Sequence, residues 1–378
     1  MKLIKNTLVA VDFRESTDNV INNAIVFAKK FQSTLTLVHV LPDKIENEKV
    51  GSLVKKAAED ELARLNENLK SEEIETGKPM LKFGNYADRI VFAANEIDAN
   101  IIIIGAGEKL NKDKYQLGTT ANNVMRESSM PVFVIKHNQD LSHIQNVLCP
   151  VDFSSESSHA LNNAIAVTRI FDANLVILSA YTPFQNNTIT RVDHEEVNEQ
   201  RKVEQELELN RFLENHNLTN INYTKEVVGG DPAIEILKAI EKHQSDILFM
   251  GTTGKSGITR ILLGSVTEKV TREMPCSFVT SKKEDFLDFE LKARDLEEYY
   301  NAAEKLYEQG FYQQAISMYN TALELNFSHV PSLKGLANSY EKLGDTEKVS
   351  KYRQMIKNVL EQFQNFKIEE EIRKTMNR

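Results

Sequence analysis

Short runs of valine, isoleucine and leucine alternate, up to about residue 282, with longer segments in which apolar residues recur every three or four positions. This alternation is typical of βαβ units, whose helices cover a parallel sheet. In the second half of that region the pattern predicts five strands: NVLCPVD, NLVILSAY, NYTKEVVG, DILFMGT and CSFVTS. Between them it predicts four helices, which begin near Ser155, Glu195, Pro232 and Ser265. Asp231 is expected to cap the third of these helices.

The chain contains this pattern twice. VAVDFRESTDNVINNAI begins at Val9 and CPVDFSSESSHALNNAI begins at Cys149, with VDF and NNAI in the same register. Each copy closes with an apolar run, PVFVIK in the first and CSFVTS in the second. The repeat is as long as a domain, so we expect two copies of one α/β domain, 1–138 and 144–282.

Composition narrows the classes of function. The 378 residues carry a formal net charge of -9, which argues against general binding of nucleic acid or anionic membranes. No apolar run approaches the length that spans a bilayer, and the N-terminal sequence passes into a strand pattern without a signal-peptide cleavage site. We therefore expect a cytoplasmic protein. The cysteines, Cys149 and Cys276, lack the spacing of a zinc site or a disulfide scaffold and are expected in the core.

The stretch GTTGKSGITRILLGS, from Gly251 to Ser265, is the strongest candidate for chemistry. It contains GKS, but Phe249 stands where a P-loop needs its first glycine, so that motif is excluded. The spacing is instead Gly251, two residues, Gly254, nine residues, then Gly264 and Ser265. Because the stretch follows a strand, at the edge where open α/β sheets bind ligands, its glycines and the next helix start can hold an anion. A glycine-rich turn without a ligand is the alternative.

Both copies resemble the universal stress protein family, which binds adenine nucleotides with the spacing GxxG, nine residues, GS or GT. The resemblance implies a five-stranded parallel sheet in each copy, of the adenine nucleotide α-hydrolase-like type, and ATP or AMP as ligand, with Mg²⁺ as a companion of the phosphates. Asp152 follows the first strand and can accept hydrogen bonds from an adenine amine or a ribose hydroxyl; capping of the next helix is the alternative. The implied site in the second copy consists of Pro150, Asp152, Ala180, Gly251, Gly254, Gly264, Ser265 and Val266.

The first copy departs from this pattern in its loop. GAGEKLNKDKYQLGT has Glu108 where the second glycine should be, and a carboxylate there repels phosphates. Ala10 also replaces the proline of the first strand. We therefore expect weak or absent nucleotide binding in this copy. Its remaining candidate residues are Asp12, Val40, Gly105, Gly118 and Thr119.

The resemblance also implies how the two copies meet. Domains of this family dimerise through the closing strand, and both closing runs here are apolar edge candidates that invite pairing. We therefore expect the copies to form a pseudo-dimer within the chain. The alternative is two independent domains joined by a linker at 137–142.

The sheet pattern ends after Ser281. KKEDFLDFE is charged and predicts either a linker or the start of a helix. From Leu296 the sequence is helical, with Ala303, Gly310 and Tyr319 among the residues that resemble tetratricopeptide positions over about two repeats. The resemblance implies a small all-α region, 290–378, that binds a protein or peptide partner or self-associates. An uncategorised helical hairpin is the alternative.

Three classes of function stay open. The first is a nucleotide-binding regulator or scaffold of a stress response, which the site residues favour. The second is an enzyme, at most a slow ATPase or a protein that phosphorylates itself, because no set of residues for positioning water and binding a metal is visible. The third is a scaffold without a ligand.

Overall fold

The computed structural model describes residues 4–44, 48–107, 109–111, 114–115, 117–184, 194–252, 263–273, 275–281, 286–325 and 329–360. The chain divides into an α/β unit, through Asp288, and a helical unit from Phe289 onward.

The first copy alternates strands and helices from its start. In chain order the elements are β1 (Asn6–Ala10), α1 (Thr17–Phe31), β2 (Thr34–Leu41), α2 (Glu48–Ser71), β3 (Met80–Phe83), α3 (Tyr86–Glu96), β4 (Ile101–Gly105), the short strands β5 (Lys109–Asn111) and β6 (Lys114–Tyr115), α4 (Thr119–Glu127) and β7 (Val132–Ile135).

The second copy repeats that order. Its elements are β8 (Asn146–Pro150), α5 (Ser155–Phe171), β9 (Asn174–Tyr181), α6 (His194–Leu213), β10 (Asn222–Gly229), α7 (Pro232–His243), β11 (Ile247–Gly251), α8 (Ser265–Glu273) and β12 (Ser277–Ser281). All five predicted strands are present, and the four helices begin at or beside the predicted residues. Asp231 caps α7 as predicted: its Oδ1 accepts hydrogen bonds from the backbone N–H groups of Ala233 (3.0 Å) and Ile234 (3.2 Å).

All the strands of both copies except β5 and β6 form one sheet of ten strands, in the order β10-β9-β8-β11-β12-β7-β4-β1-β2-β3, and β5 and β6 pair with each other outside that sheet. Neighbours within each copy are parallel. The closing strands β7 and β12 pair antiparallel, with Phe278 opposite Val134 and Thr280 opposite Val132. The predicted pairing of the two closing strands is therefore present within the chain. In each copy the strand order reverses beside the first strand, between β1 and β4 and between β8 and β11.

The segment between the copies, 137–142, forms hydrogen bonds with both of them through Gln139. The Nε2 of Gln139 donates to the carbonyl oxygen of Asp246 (2.5 Å), and its Oε1 accepts from the N–H (2.8 Å) and the hydroxyl (2.7 Å) of Ser277. The carbonyl oxygen of Gln139 accepts from the side-chain amides of Asn19 and Asn23, both at 2.8 Å. These contacts contradict the alternative of independent domains on a free linker.

The hydrophobic core runs through the junction of the two copies. Val124 and Met125 of α4 belong to the same buried cluster as Val270 of α8 and Phe278 of β12. Both cysteines are buried, as expected, and burial raises the pKa of the Cys276 thiol to about 12. Among the helices that the structure describes, none is long and apolar enough to cross a membrane.

The helical unit contains all but the first three residues of α9 (Phe286–Glu308), then α10 (Tyr312–Leu325), α11 (Val330–Lys342) and a further helix, α12, at 346–360. The part of the charged stretch that the structure describes, 286–290, is therefore the start of a helix, and 282–285 lie outside the described residues. Gly310 and Gly344 have φ values of 84° and 77° and follow the ends of α9 and α11, where a left-handed residue favours glycine. The buried core consists of Ala303, Ala315, Ile316, Tyr319 and Leu336.

Candidate functional site

A cavity of about 390 Å³ opens in the second copy where the strand order reverses. Its volume is within the range of pockets that bind small molecules. Gly254 lies outside the described residues. The other seven predicted residues all line this cavity: Pro150, Asp152, Ala180, Gly251, Gly264, Ser265 and Val266.

Further residues complete the walls. Leu178, Ile236 and Met250 supply apolar surface, and Ser157 and Thr267 add hydroxyl groups. Sequence analysis missed them because only the three-dimensional order of β8, β9 and β11 brings them together. One signal was available, since these residues lie near the strand ends and helix starts that form the predicted edge.

Asp152 organises the turn between β8 and α5. Its Oδ1 accepts from the N–H of Ser154 (3.1 Å) and from the Ser154 hydroxyl (2.5 Å). The helix cap is Ser154, whose Oγ accepts from the N–H of Ser157 (3.2 Å). The alternative interpretation of Asp152 as the cap is therefore wrong. These contacts use Oδ1, and the carboxylate also borders the cavity.

Gly251 allows the end of β11 to approach α5. A Cβ at this position would lie 3.0 Å from the Cβ of Glu156 and 3.1 Å from its carbonyl carbon. The carbonyl oxygen of Gly251 also accepts from the hydroxyl of Thr267 (2.9 Å), which ties β11 to the first turn of α8. Gly251 thus has a packing role that the sequence interpretation, based on close approach to an anion, did not include.

The start of α8 is the polar end of the cavity. The N–H of Gly264 donates to the carbonyl oxygen of Thr252 (2.6 Å), so that N–H is used within the loop. Ser265 and Val266 follow in the first turn, where N–H groups have no partner inside the helix. Such groups, together with the helix dipole, favour a negatively charged ligand.

The first copy has a cavity in the corresponding place, with a volume of about 690 Å³. The N–H of Gly118 donates to the carbonyl oxygen of Ala106 (2.7 Å), as Gly264 does to Thr252. Glu108, on which the expectation of weak binding rests, lies outside the described residues. All five predicted residues line the first cavity: Asp12, Val40, Gly105, Gly118 and Thr119.

Arg14, His39 and Tyr86 also line the first cavity, and sequence analysis did not select them. The Nε of Arg14 lies 3.9 Å from Oδ2 of Asp12, and the hydroxyl of Thr17 donates to Oδ1 of Asp12 (3.1 Å). Arg14 corresponds to Ser154 of the second copy, so the carboxylates of the two cavities have different partners.

His39 gives the first cavity a different rim. Its ring stacks on Phe13 with centroids 4.0 Å apart, and its Nδ1 lies 2.7 Å from the carbonyl oxygen of Val11, which accepts the proton. Burial lowers the pKa of His39, against smaller raising effects of this hydrogen bond and of Asp12. Ser179 occupies the corresponding position in the second copy. The two cavities therefore share a backbone plan and differ in side-chain chemistry.

Known proteins resemble both copies. The model of the Universal stress protein family matches residues 4–136 and 143–282. A universal stress protein of Methanocaldococcus jannaschii is 31% identical over 152 residues, which are 40% of this chain and 88% of that protein. A putative universal stress protein of Staphylococcus aureus is 27% identical over 144 residues, 37% of this chain and 86% of that protein. The solved structure of a universal stress protein from Archaeoglobus fulgidus has a TM-score of 0.57 at 21% identity, covering 74% of this chain and 98% of that one, and shows a shared fold.

Proposed function

The chain belongs to the universal stress protein family, and we propose that it is a nucleotide-responsive regulator that binds ATP or AMP in the cavity of its second copy. The observation that carries the proposal is the convergence of seven predicted residues on one cavity at the point where strand order reverses. Open α/β sheets bind their ligands at this place.

The two ends of the second cavity suit the two ends of a nucleotide. Asp152 follows β8, and Ala180 lies at the end of β9. The Asp152 carboxylate and the backbone edge at Ala180 can bind the base or the ribose. Ser265 and Val266 begin α8, where N–H groups and the helix dipole favour phosphates. Apolar side chains between these ends can pack against a planar base. Mg²⁺ would enter with the phosphates.

The first cavity is proposed as a weak nucleotide site or none. Asp12, which would bind the base or ribose, accepts two hydrogen bonds at Oδ1, as Asp152 does. Its Oδ2, however, lies 3.9 Å from Nε of Arg14, a cation that competes for this carboxylate and that Ser154 replaces in the second copy. The loop also carries Glu108 in place of a glycine. One nucleotide per chain is therefore expected.

The helical unit is proposed to bind a protein partner. Its buried small residues, Ala303, Ala315 and Ala337, allow helices to pack closely in the manner of tetratricopeptide repeats. Self-association through the same helices is the alternative. In this account the nucleotide acts on the α/β unit and the helices supply the contact with the partner.

Native mass spectrometry of the purified full chain tests the ligand directly. The expected result is an added mass of one adenine nucleotide, and a chain that never carries or binds an adenylate would favour the ligand-free scaffold. Turnover of ATP tests the enzyme alternative, since a rate far below one per minute is expected of a regulator. A chain ending at Ser281 should keep its nucleotide affinity and lose the partner.

A further inference from the structure

A carboxylate in the helical unit lies among aromatic side chains. The Tyr319 hydroxyl donates to Oε1 of Glu304 at 2.6 Å. Tyr300 lies one turn earlier on α9, and burial, followed by the charge of Glu304, raises the pKa of its phenol. Tyr319 is fully buried, whereas Tyr300 and Glu304 are half-buried. The Tyr319 phenol therefore holds the Glu304 carboxylate at the border between the core and the solvent.

The position of Tyr319 is itself fixed by packing. A Cβ on Gly335 of α11 would lie only 2.2 Å from the Cζ of Tyr319, so the ring rests directly against the backbone of that helix. Burial, followed by the hydrogen bond and the charge of Glu304, raises the pKa of Tyr319. Tyr319 consequently stays protonated and remains a hydrogen-bond donor to the carboxylate.

Tyr300, one turn before Glu304, contacts two other aromatic rings. The ring centroids of Tyr300 and Tyr319 lie 6.1 Å apart at an interplanar angle of 48°, and the ring of His329 meets Tyr300 edge-on at 5.4 Å. Burial lowers the pKa of His329, which favours its neutral form. Tyrosine faces attract cations, most strongly where water is partly excluded.

The described hydrogen bond of Glu304 comes from a phenol and not from a cation. Among the residues that the structure describes, no lysine, arginine or histidine forms an ion pair with this carboxylate. A half-buried carboxylate without a countercharge has lost part of its hydration, so an incoming cation gains more there than at an exposed glutamate. Across 286–325, acidic residues also outnumber basic ones more than two to one.

We propose that Glu304 and the exposed part of Tyr300 form a binding site for a lysine or arginine side chain of a basic partner segment. Tyr319 is a positioning residue that holds the carboxylate in place. The inference rests on the proposed partner binding of the helical unit and names the chemistry of the partner. An acidic segment would be repelled at this site.

The test uses the full chain and two synthetic peptides of equal length, a lysine–serine repeat and a glutamate–serine repeat, in a titration followed by fluorescence anisotropy at physiological salt. The wild type should bind the lysine peptide and not the glutamate peptide. Glu304→Gln keeps the shape and an acceptor for Tyr319 but removes the charge, and should weaken binding about tenfold, which corresponds to about 1.4 kcal/mol. The matched control is Glu308→Gln, an exposed position one turn later with the same change of charge, which should change binding less than twofold.

Equal losses in Glu304→Gln and Glu308→Gln would overturn the proposal, because they would indicate general attraction to a chain of net charge -9. Absence of lysine-peptide binding, or preference for the glutamate peptide, would overturn it as well. If circular dichroism shows that Glu304→Gln has lost helix, Tyr300→Leu is tested in place of that variant. Unchanged binding of the lysine peptide by Tyr300→Leu would contradict the site. Nucleotide binding, measured by calorimetry on each variant, should stay at the wild-type value, so failure here is separate from failure of the nucleotide proposal.

Discussion

Gly251→Ala adds one methyl group where β11 meets α5. The new Cβ would lie 3.0 Å from the Cβ of Glu156, 3.1 Å from its carbonyl carbon and 3.3 Å from its carbonyl oxygen. Two of these three atoms belong to the backbone, so the first turn of α5 has to move. Overpacking of this kind costs about 1 to 3 kcal/mol of stability. The same turn contains Ser154, which binds the Asp152 carboxylate, so the movement should also weaken nucleotide binding in the second copy. Each 1.4 kcal/mol of binding free energy that is lost lowers the affinity about tenfold.

The matched control is Gly105→Ala, at the corresponding position of the first copy. Its Cβ would meet side-chain atoms only, Cγ2 of Val20 at 3.1 Å and Oγ of Ser16 at 4.0 Å, which can give way more easily than backbone. Thermal unfolding by circular dichroism and calorimetry with ATP measure both effects. Gly251→Ala should lose more stability than Gly105→Ala and should be the only one of the two with reduced affinity. Wild-type stability and affinity in Gly251→Ala, or a larger loss in Gly105→Ala, would refute the packing role of Gly251.

Three further predictions concern other parts of the molecule. Gly335→Ala should destabilise the helical unit by about 1 to 3 kcal/mol, despite the better helix propensity of alanine, because the new Cβ would overlap the Tyr319 ring. Chemical denaturation followed by circular dichroism at 222 nm measures this loss. Unchanged stability would contradict the packing of Tyr319 against Gly335. Gln139→Ala should cost about 1 to 3 kcal/mol in the α/β unit, since the N–H of Ser277 loses its partner. An unaltered melting temperature would mean that the hydrogen bonds of this side chain do not stabilise the junction of the copies. Burial lowers the pKa of His39, so the unfolded chain binds that proton more readily and stability should fall as the pH drops below about 6.5. His39→Gln should show a shallower fall over the same pH range, and an identical profile would exclude this contribution.

Much of the α/β fold could be predicted because each strand is a short apolar run bounded by turn residues. β8 and β11, for example, read directly from NVLC and ILFM, and the start of α7 follows from Asp231 and Pro232. The strands β5 and β6 were not predicted, because runs of two and three residues in a polar loop have no detectable periodicity.

The candidate site was only partly accessible to sequence reasoning. Glycines and a helix start are local signals, so the residues at the end of β11 could be selected by spacing alone. Arg14, His39 and Tyr86 carry no such signal, and they meet in one cavity only because β1 and β2 are neighbours and α3 begins at the same edge. The hydrogen bond between Tyr319 and Glu304 was missed for a similar reason, since the two residues come from different helices.

The central claim is that one chain binds one adenine nucleotide, in the second copy. Calorimetric titration of ATP and AMP into the wild type, Gly254→Glu and Glu108→Gly tests it most directly. The account predicts a stoichiometry of one for the wild type, and a loss of about tenfold or more in Gly254→Glu, because a carboxylate then opposes a charge-assisted contact of roughly 1.5 to 3 kcal/mol. It also predicts an unchanged second site in Glu108→Gly. Two equal sites in the wild type, or unaltered binding in Gly254→Glu, would contradict the account.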